Sequence, residues 1–208
     1  MTIKPLHLAL PKDMHGDIPR WLEGLQHTCA LMTNLVGQVM NPKPGEHRKL
    51  FVFKEVDLVR LASNVCAYYL GHAKEKNISL VCDESNSPVY VVTDVVEAAI
   101  VLDNLISNAV KFSPPGTSVH VSVRKDNDSV VCWVRDEGPG LTPEEQAVVF
   151  DEGVMLSPKP TGGESSSGYG LAVAKLTTEG LKGRLWCDSE KGRGSTFALQ
   201  LPCTLESP

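Results

Sequence analysis

No apolar run in this sequence approaches the roughly 20 residues that a membrane-spanning helix requires, and the opening residues, MTIKPLHLALPKDMHG, lack the layout of a secretory signal. Both absences predict a soluble, cytoplasmic chain with no membrane contact of its own, and they leave room for a membrane-anchored parent. Clusters of one charge are missing as well. Twenty Lys and Arg against 25 Asp and Glu give a net charge of -5, and the basic residues are scattered, which excludes the basic footprint of a nucleic-acid binder. There is no C-x-x-C. Cys29, Cys66, Cys82, Cys132, Cys187 and Cys203 stand far apart, mostly inside apolar segments, and read as reduced core residues. His47, His72 and His120 have no metal-ligand spacing. A phosphate loop of the form G-x-x-x-x-G-K-[ST] is absent, and the one G-x-G that opens a helix follows a polar loop instead of a strand, which argues against a dinucleotide-binding turn.

What is present is a chain of 208 residues, 42% apolar, enough for one main domain of about 150 residues with an appendage. Residues 18 to 40 carry apolar side chains at three- and four-residue intervals (Ile18, Leu22, Leu25, Cys29, Met32, Leu35, Val36, Val39), predicting one helix with a single buried stripe. NPKPG, residues 41 to 45, ends it and marks the boundary between a region 1–45 and a domain 46–204. Beyond it the pattern predicts a short strand at KLFVF and a helix over 57–76 with Leu58, Leu61, Val65, Tyr68, Tyr69 and Ala73 inside. Strands ISLVCD and VYVVT follow, then a helix over 95–112 opened by an Asp94/Glu97 capping box and stopped by Pro114, Pro115 and Gly116. SVHVSVRK and SVVCWVRD read as a hairpin, Thr142-Pro143 with Glu145 as a short helix start, and residues 156–167 as a mobile loop of about a dozen residues. A helix over 169–179 and a last hairpin, GRLWCDSE with GSTFALQL, complete the pattern.

The helix at DNLISNAVKF holds polar residues where apolar ones would pack. At 100° per residue Asn104, Asn108 and Lys111 converge within an arc of about 60°, away from Leu102, Leu105, Ile106 and Ala109. An Asn oxygen is a hard neutral ligand suited to Mg2+, and a Lys one turn on supplies charge for phosphate; taken alone, the same face is equally an ordinary solvated one. Asp136, in VRDEGPGL at the end of an apolar strand, can accept a hydrogen bond from an exocyclic amine such as adenine's, with Gly138 and Gly140 letting backbone pass close by. In SSSGYGLAVAK a Gly-rich turn runs into a helix whose first N–H groups suit phosphate. KGRGSTF, on its own, is a common tight hairpin.

In this order the segments resemble the ATP-binding domain of sensor histidine kinases, within the superfamily that also holds the gyrase, heat-shock chaperone and mismatch-repair ATPases. LDNLISNAVKFS is similar to the N box, RDEGPGL to the first Gly box, VVFDEG to the F box around Phe150, SSGYGLAVAK to the second Gly box and GRGSTF to the last. The resemblance covers residues 53 to 202. It implies an α+β fold, a two-layer sandwich of a mixed sheet with helices on one face (the Bergerat fold), preceded by a helix from a dimerisation hairpin. It implies ATP and Mg2+ as ligands: Asn108 on the metal, Asn104 and Lys111 facing the phosphates, and Asp136 on the adenine amine. Gly138, Gly140 and Phe150 would shape the site, Gly168, Tyr169, Gly170 and Leu171 would stand at the phosphate-binding turn, Thr196 near the base, and residues 141–167 would form the ATP lid. It further implies a response-regulator receiver domain as partner and a homodimer through the N-terminal helix. Two departures stand out: Ser166 replaces a Gly common in the second Gly box, and Lys159 is the lid's sole basic residue where kinases often place an Arg.

Hydrolytic members of the superfamily carry a water-activating Glu where this chain has Asn104, which cannot take a proton; this disfavours an autonomous ATPase and leaves phosphoryl transfer to an imidazole. The family's acceptor motif H-[ED]-x-x-[TN]-P is missing. His7 and His15 lack the acidic neighbour, and His27 reads as a surface residue. Residues 18–40 match the second dimerisation helix, so two accounts stand: the sequence starts partway through a longer kinase, which is favoured, or it is a non-catalytic nucleotide-sensing or scaffold relative. A serine kinase of the anti-sigma type is a further alternative.

Overall fold

The computed structural model describes residues 51–83, 87–162 and 168–204. The expected dimerisation helix, the boundary near residue 45 and His7, His15 and His27 lie outside them. Eleven elements are described: β1 (Lys54–Asp57), α1 (Leu58–Glu75), β2 (Ser79–Cys82), β3 (Tyr90–Thr93), α2 (Val95–Phe112), β4 (Ser118–Asp126), β5 (Ser129–Asp136), α3 (Pro143–Val148), α4 (Gly170–Gly180), β6 (Arg184–Glu190) and β7 (Gly194–Pro202). The main sheet runs β2-β4-β5-β7-β6, with β2 parallel to β4 and every other pair antiparallel; β1 and β3 form a separate antiparallel pair.

The register explains why the sheet has one greasy face. Val121 lies opposite Val134 and Val134 opposite Phe197, while Val123, Cys132, Leu199 and Leu185 line up the same way. Because side chains alternate along a strand, all of these point to the side covered by α1, α2 and α4, whose Leu58, Leu102, Leu105 and Ile106 are fully buried in the same core. Each such side chain contributes about 1.5–3 kcal/mol relative to exposure. The opposite face carries Ser122, Trp133, Thr196 and Gln200.

Side-chain caps set where the helices begin. Asp57 Oδ1 accepts from the N–H groups of Val59 (3.1 Å) and Arg60 (3.3 Å), and Asp94 Oδ1 from Val96 (3.0 Å) and Glu97 (3.3 Å). Thr142 and Glu145 form a complete capping box around Pro143. The expected strand at KLFVF is corrected: residues 51–53 are not strand, and pairing begins at Lys54 opposite Thr93. Packing decides this segment instead. The Phe51 ring sits where any Cβ on Gly180 would have to go, and the Val52 N–H donates to Asp94 Oδ2 at 2.8 Å.

Candidate functional site

A cavity of about 710 Å3 opens between α2, the β5–α3 loop, residues 154–160 and the start of α4, a size typical of small-molecule sites. Asn104, Asn108 and Lys111 line it from α2, as their helical spacing predicts, and Asp136, Gly140, Gly168, Gly170 and Leu171 join them. Asn104 is oriented by its own helix: Nδ2 donates to the Ile100 carbonyl at 2.9 Å, so the amide oxygen is the end turned outward. That oxygen faces α4 so closely that a Cβ on Gly170 would fall 2.7 Å from it. The head of α4, capped at Tyr169 with no side-chain hydrogen bond, thus presents its first backbone N–H groups beside an Asn oxygen, in the cavity that Lys111 also lines.

At the other end sits Asp136, only 5% exposed. Its Oδ1 accepts from the N–H groups of Gly138 (2.8 Å) and Ser195 (3.2 Å). Both bonds use one oxygen, which leaves Oδ2 as the acceptor for a ligand. Burial pushes the carboxyl above its ordinary range, and the two N–H bonds pull back against that shift. Two glycines make the approach feasible. Gly194, at φ +99°, has the Asp136 carbonyl where a Cβ would stand, and Gly140, at φ +62°, has that of Glu190.

Four expected site residues do not line the cavity. Thr196 points to the opposite face of the sheet, because its neighbours Ser195 and Phe197 alternate with it and it is they that line the cavity. Tyr169 is 47% exposed, with its hydroxyl near Gly153. Phe150 stands behind the wall, edge-on to Phe197 at 6.3 Å, while Val149 takes the lining position. Gly138 lies behind the Asp136 carboxylate, where a Cβ would approach Oδ1 to 2.7 Å. Leu156, Pro158, Lys159 and Pro160, from the loop expected over 156–167, line the cavity together with Met155 just ahead of it.

The family described as histidine kinase-, DNA gyrase B- and HSP90-like ATPase matches residues 93–205, more than half of the chain, and the chain belongs to it. Among curated relatives it is 29% identical over 187 residues to the sensor histidine kinase WalK of Bacillus subtilis, covering 88% of this chain and 30% of that one. It is 27% identical over 199 residues to the sensor histidine kinase RcsC of Escherichia coli, covering 95% and 21%. The chain therefore spans less than a third of the length of these relatives. Among solved structures, full-length ShkA in complex with AMPPNP superimposes with a TM-score of 0.69 at 23% identity, covering 91% of this chain and 40% of that one. The mycobacterial sensor histidine kinase MprB gives 0.61 at 24%, covering 73% and 97%. The histidine kinase ThkA in complex with the response regulator TrrA gives 0.67 at 18%, covering 98% and 55%. At these identities the structural likeness is one of fold, and it matches the α+β sandwich expected. The family match makes the chain a domain of the histidine kinase-, DNA gyrase B- and HSP90-like ATPase class, and the curated relatives to which it is similar are sensor histidine kinases.

Proposed function

We propose that the cavity binds Mg2+-ATP and that the parent protein transfers its γ-phosphoryl group to a His and onward to an Asp of a response-regulator receiver domain. One observation carries the reading: a buried carboxylate with a single oxygen left for a ligand shares a cavity with two Asn, a Lys and the open head of a helix. That is a base-recognising acceptor at one end and a phosphate-binding set at the other. AMPPNP in the ShkA complex and TrrA in the ThkA complex support the same assignment of ligand and partner.

The residues fit a magnesium ion held mainly by phosphate. Among the described residues no group of three His, Cys, Asp or Glu could cage a metal, and Mg2+ characteristically takes one or two protein oxygens beside substrate phosphates and water. Asn108 would supply such an oxygen. When bound, the ion screens the charge on the phosphates. The chain's own contribution is positioning: Asp136 fixes the base, Lys111 and the α4 N–H groups place the phosphates, and the outward oxygen of Asn104 orients the terminal end without abstracting a proton from water. This favours transfer to an imidazole over hydrolysis. Radiolabelled ATP supplied together with a separately expressed acceptor helix tests the reading: acid-labile phosphohistidine is expected, and tight nucleotide binding without transfer would leave a silent sensing module instead.

A further inference from the structure

Residues 157–161, Ser-Pro-Lys-Pro-Thr, are bonded to the domain at both ends. At one end the Ser157 N–H donates to Glu145 Oε1 at 2.9 Å, and Lys191 Nζ donates to Ser157 Oγ at 2.9 Å while lying 3.5 Å from Glu145 Oε2. Glu145 does not swing freely. Its Oε2 also accepts the Thr142 N–H at 2.9 Å, and Gln146 beside it exchanges two hydrogen bonds with the Ser189 backbone on β6, at 2.8 and 3.0 Å. At the other end the Thr161 N–H donates to the Lys111 carbonyl at 3.0 Å. Thr161 Oγ1 lies 2.7 Å from the Ser113 carbonyl and 3.2 Å from that of Lys111; its single proton goes to the nearer.

The carbonyls used belong to the last turn of α2 and its capping residue Ser113, where a helix has no N–H donors of its own to offer. Lys76 Nζ binds the same turn, donating to the Val110 and Lys111 carbonyls at 2.9 Å each. Between the two anchors Pro158 and Pro160 have φ preset and no N–H to satisfy, so the short span is stiff. Its three central residues line the cavity.

We infer that residues 157–161 are a strut held by the domain's own hydrogen bonds, and that Glu145 and Thr161 are positioning residues that set nucleotide affinity by holding this wall of the cavity in place. The inference rests on the nucleotide reading above. A wall already ordered removes part of the entropy loss that a closing loop imposes on binding, so releasing either end lowers affinity without touching a group that contacts the ligand.

The test uses the whole chain and two readouts. In the nucleotide-free wild type, the amides of Ser157 and Thr161 are expected to exchange with solvent well below the rate of an unstructured peptide. Thr161→Val keeps the shape and deletes the hydroxyl bond: it should speed exchange at residue 161 and weaken Mg2+-ATP binding about five- to tenfold by calorimetry, the loss of one hydrogen bond, whereas Thr161→Ser stays within about twofold. Glu145→Gln leaves one carbonyl oxygen for two N–H groups and should speed exchange at residue 157. Wild-type amides exchanging at unstructured rates, or a Thr161→Val affinity equal to wild type, would overturn the inference. A wild type that binds no nucleotide overturns the function proposed above, and the exchange readout then still decides whether the strut exists.

Discussion

Replacing Asp136 by Asn isolates the group to which the proposed function assigns base recognition. The side chain keeps its shape, and its remaining carbonyl oxygen can still accept from the Gly138 and Ser195 N–H groups, so the loop has no reason to collapse. Those two bonds change from charge-assisted to neutral, a loss of about 1 kcal/mol each, offset by no longer burying a carboxylate that burial has already pushed toward its neutral form. The net change in stability should be within about 1 kcal/mol. Binding responds differently. The free Oδ2 becomes an NH2 group, which meets an exocyclic amine donor to donor, so an accepted hydrogen bond is lost and an unsatisfied polar contact is added; together about 2–3 kcal/mol, or roughly 30- to 150-fold in Kd. Calorimetry with Mg2+-ATP measures this, and inosine triphosphate, which lacks the amine, is the internal control: the wild type should prefer ATP strongly and the variant only weakly. Unaltered ATP affinity, or a loss equal for both nucleotides, would refute the assignment of Asp136.

Further outcomes follow from the same geometry. Gly170→Ala places a methyl 2.7 Å from Asn104 Oδ1 and should reduce ATP affinity at least tenfold with little change in Tm, read by calorimetry and thermal melting. Gly194→Ala forces a Cβ against the Asp136 carbonyl at φ +99°, so it should destabilise by about 1–3 kcal/mol or more, visible as a Tm several degrees lower. Because the folded-state pKa of Asp136 is raised, the ionised acceptor is lost on acidification at a higher pH than an exposed carboxylate would require, and ATP affinity should fall correspondingly early in a pH series. Glu145 behaves oppositely: hydrogen bonding from Ser157, then from the Thr142 N–H, brings it down to about 2, so its contribution to holding residue 157 is complete above about pH 4.5 and lost only as pH falls toward 2, as amide exchange across that range would show.

Much of this was legible in the sequence because it rests on short-range signals. Asp57, Asp94 and Thr142 announce helix starts through bonds two or three residues away, and the turn-spaced Asn104, Asn108 and Lys111 share one face for the same reason. What escaped depends on partners far along the chain. Thr196 and Ser195 are indistinguishable by type, and only the pairing of Arg135 with Thr196 reveals which of them turns toward the helices. The wall at residues 154–160 runs into a stretch, 156–167, that reads as a polar, Pro- and Gly-rich loop. It is held by the Thr161 N–H reaching back to the Lys111 carbonyl and by Lys191 reaching Ser157 across 34 residues, contacts for which local composition carries no signal. KLFVF misled because an apolar run without a period is equally a strand or a packed coil.

Asp94 has two jobs at once: one carboxylate oxygen steadies the opening turn of α2, while the other grips the main chain at Val52. A force on the main chain at Val52 is therefore delivered, through a single side chain, to the head of the rod that bears Asn104, Asn108 and Lys111. The domain has a handle, and it is fastened to the helix that lines the cavity.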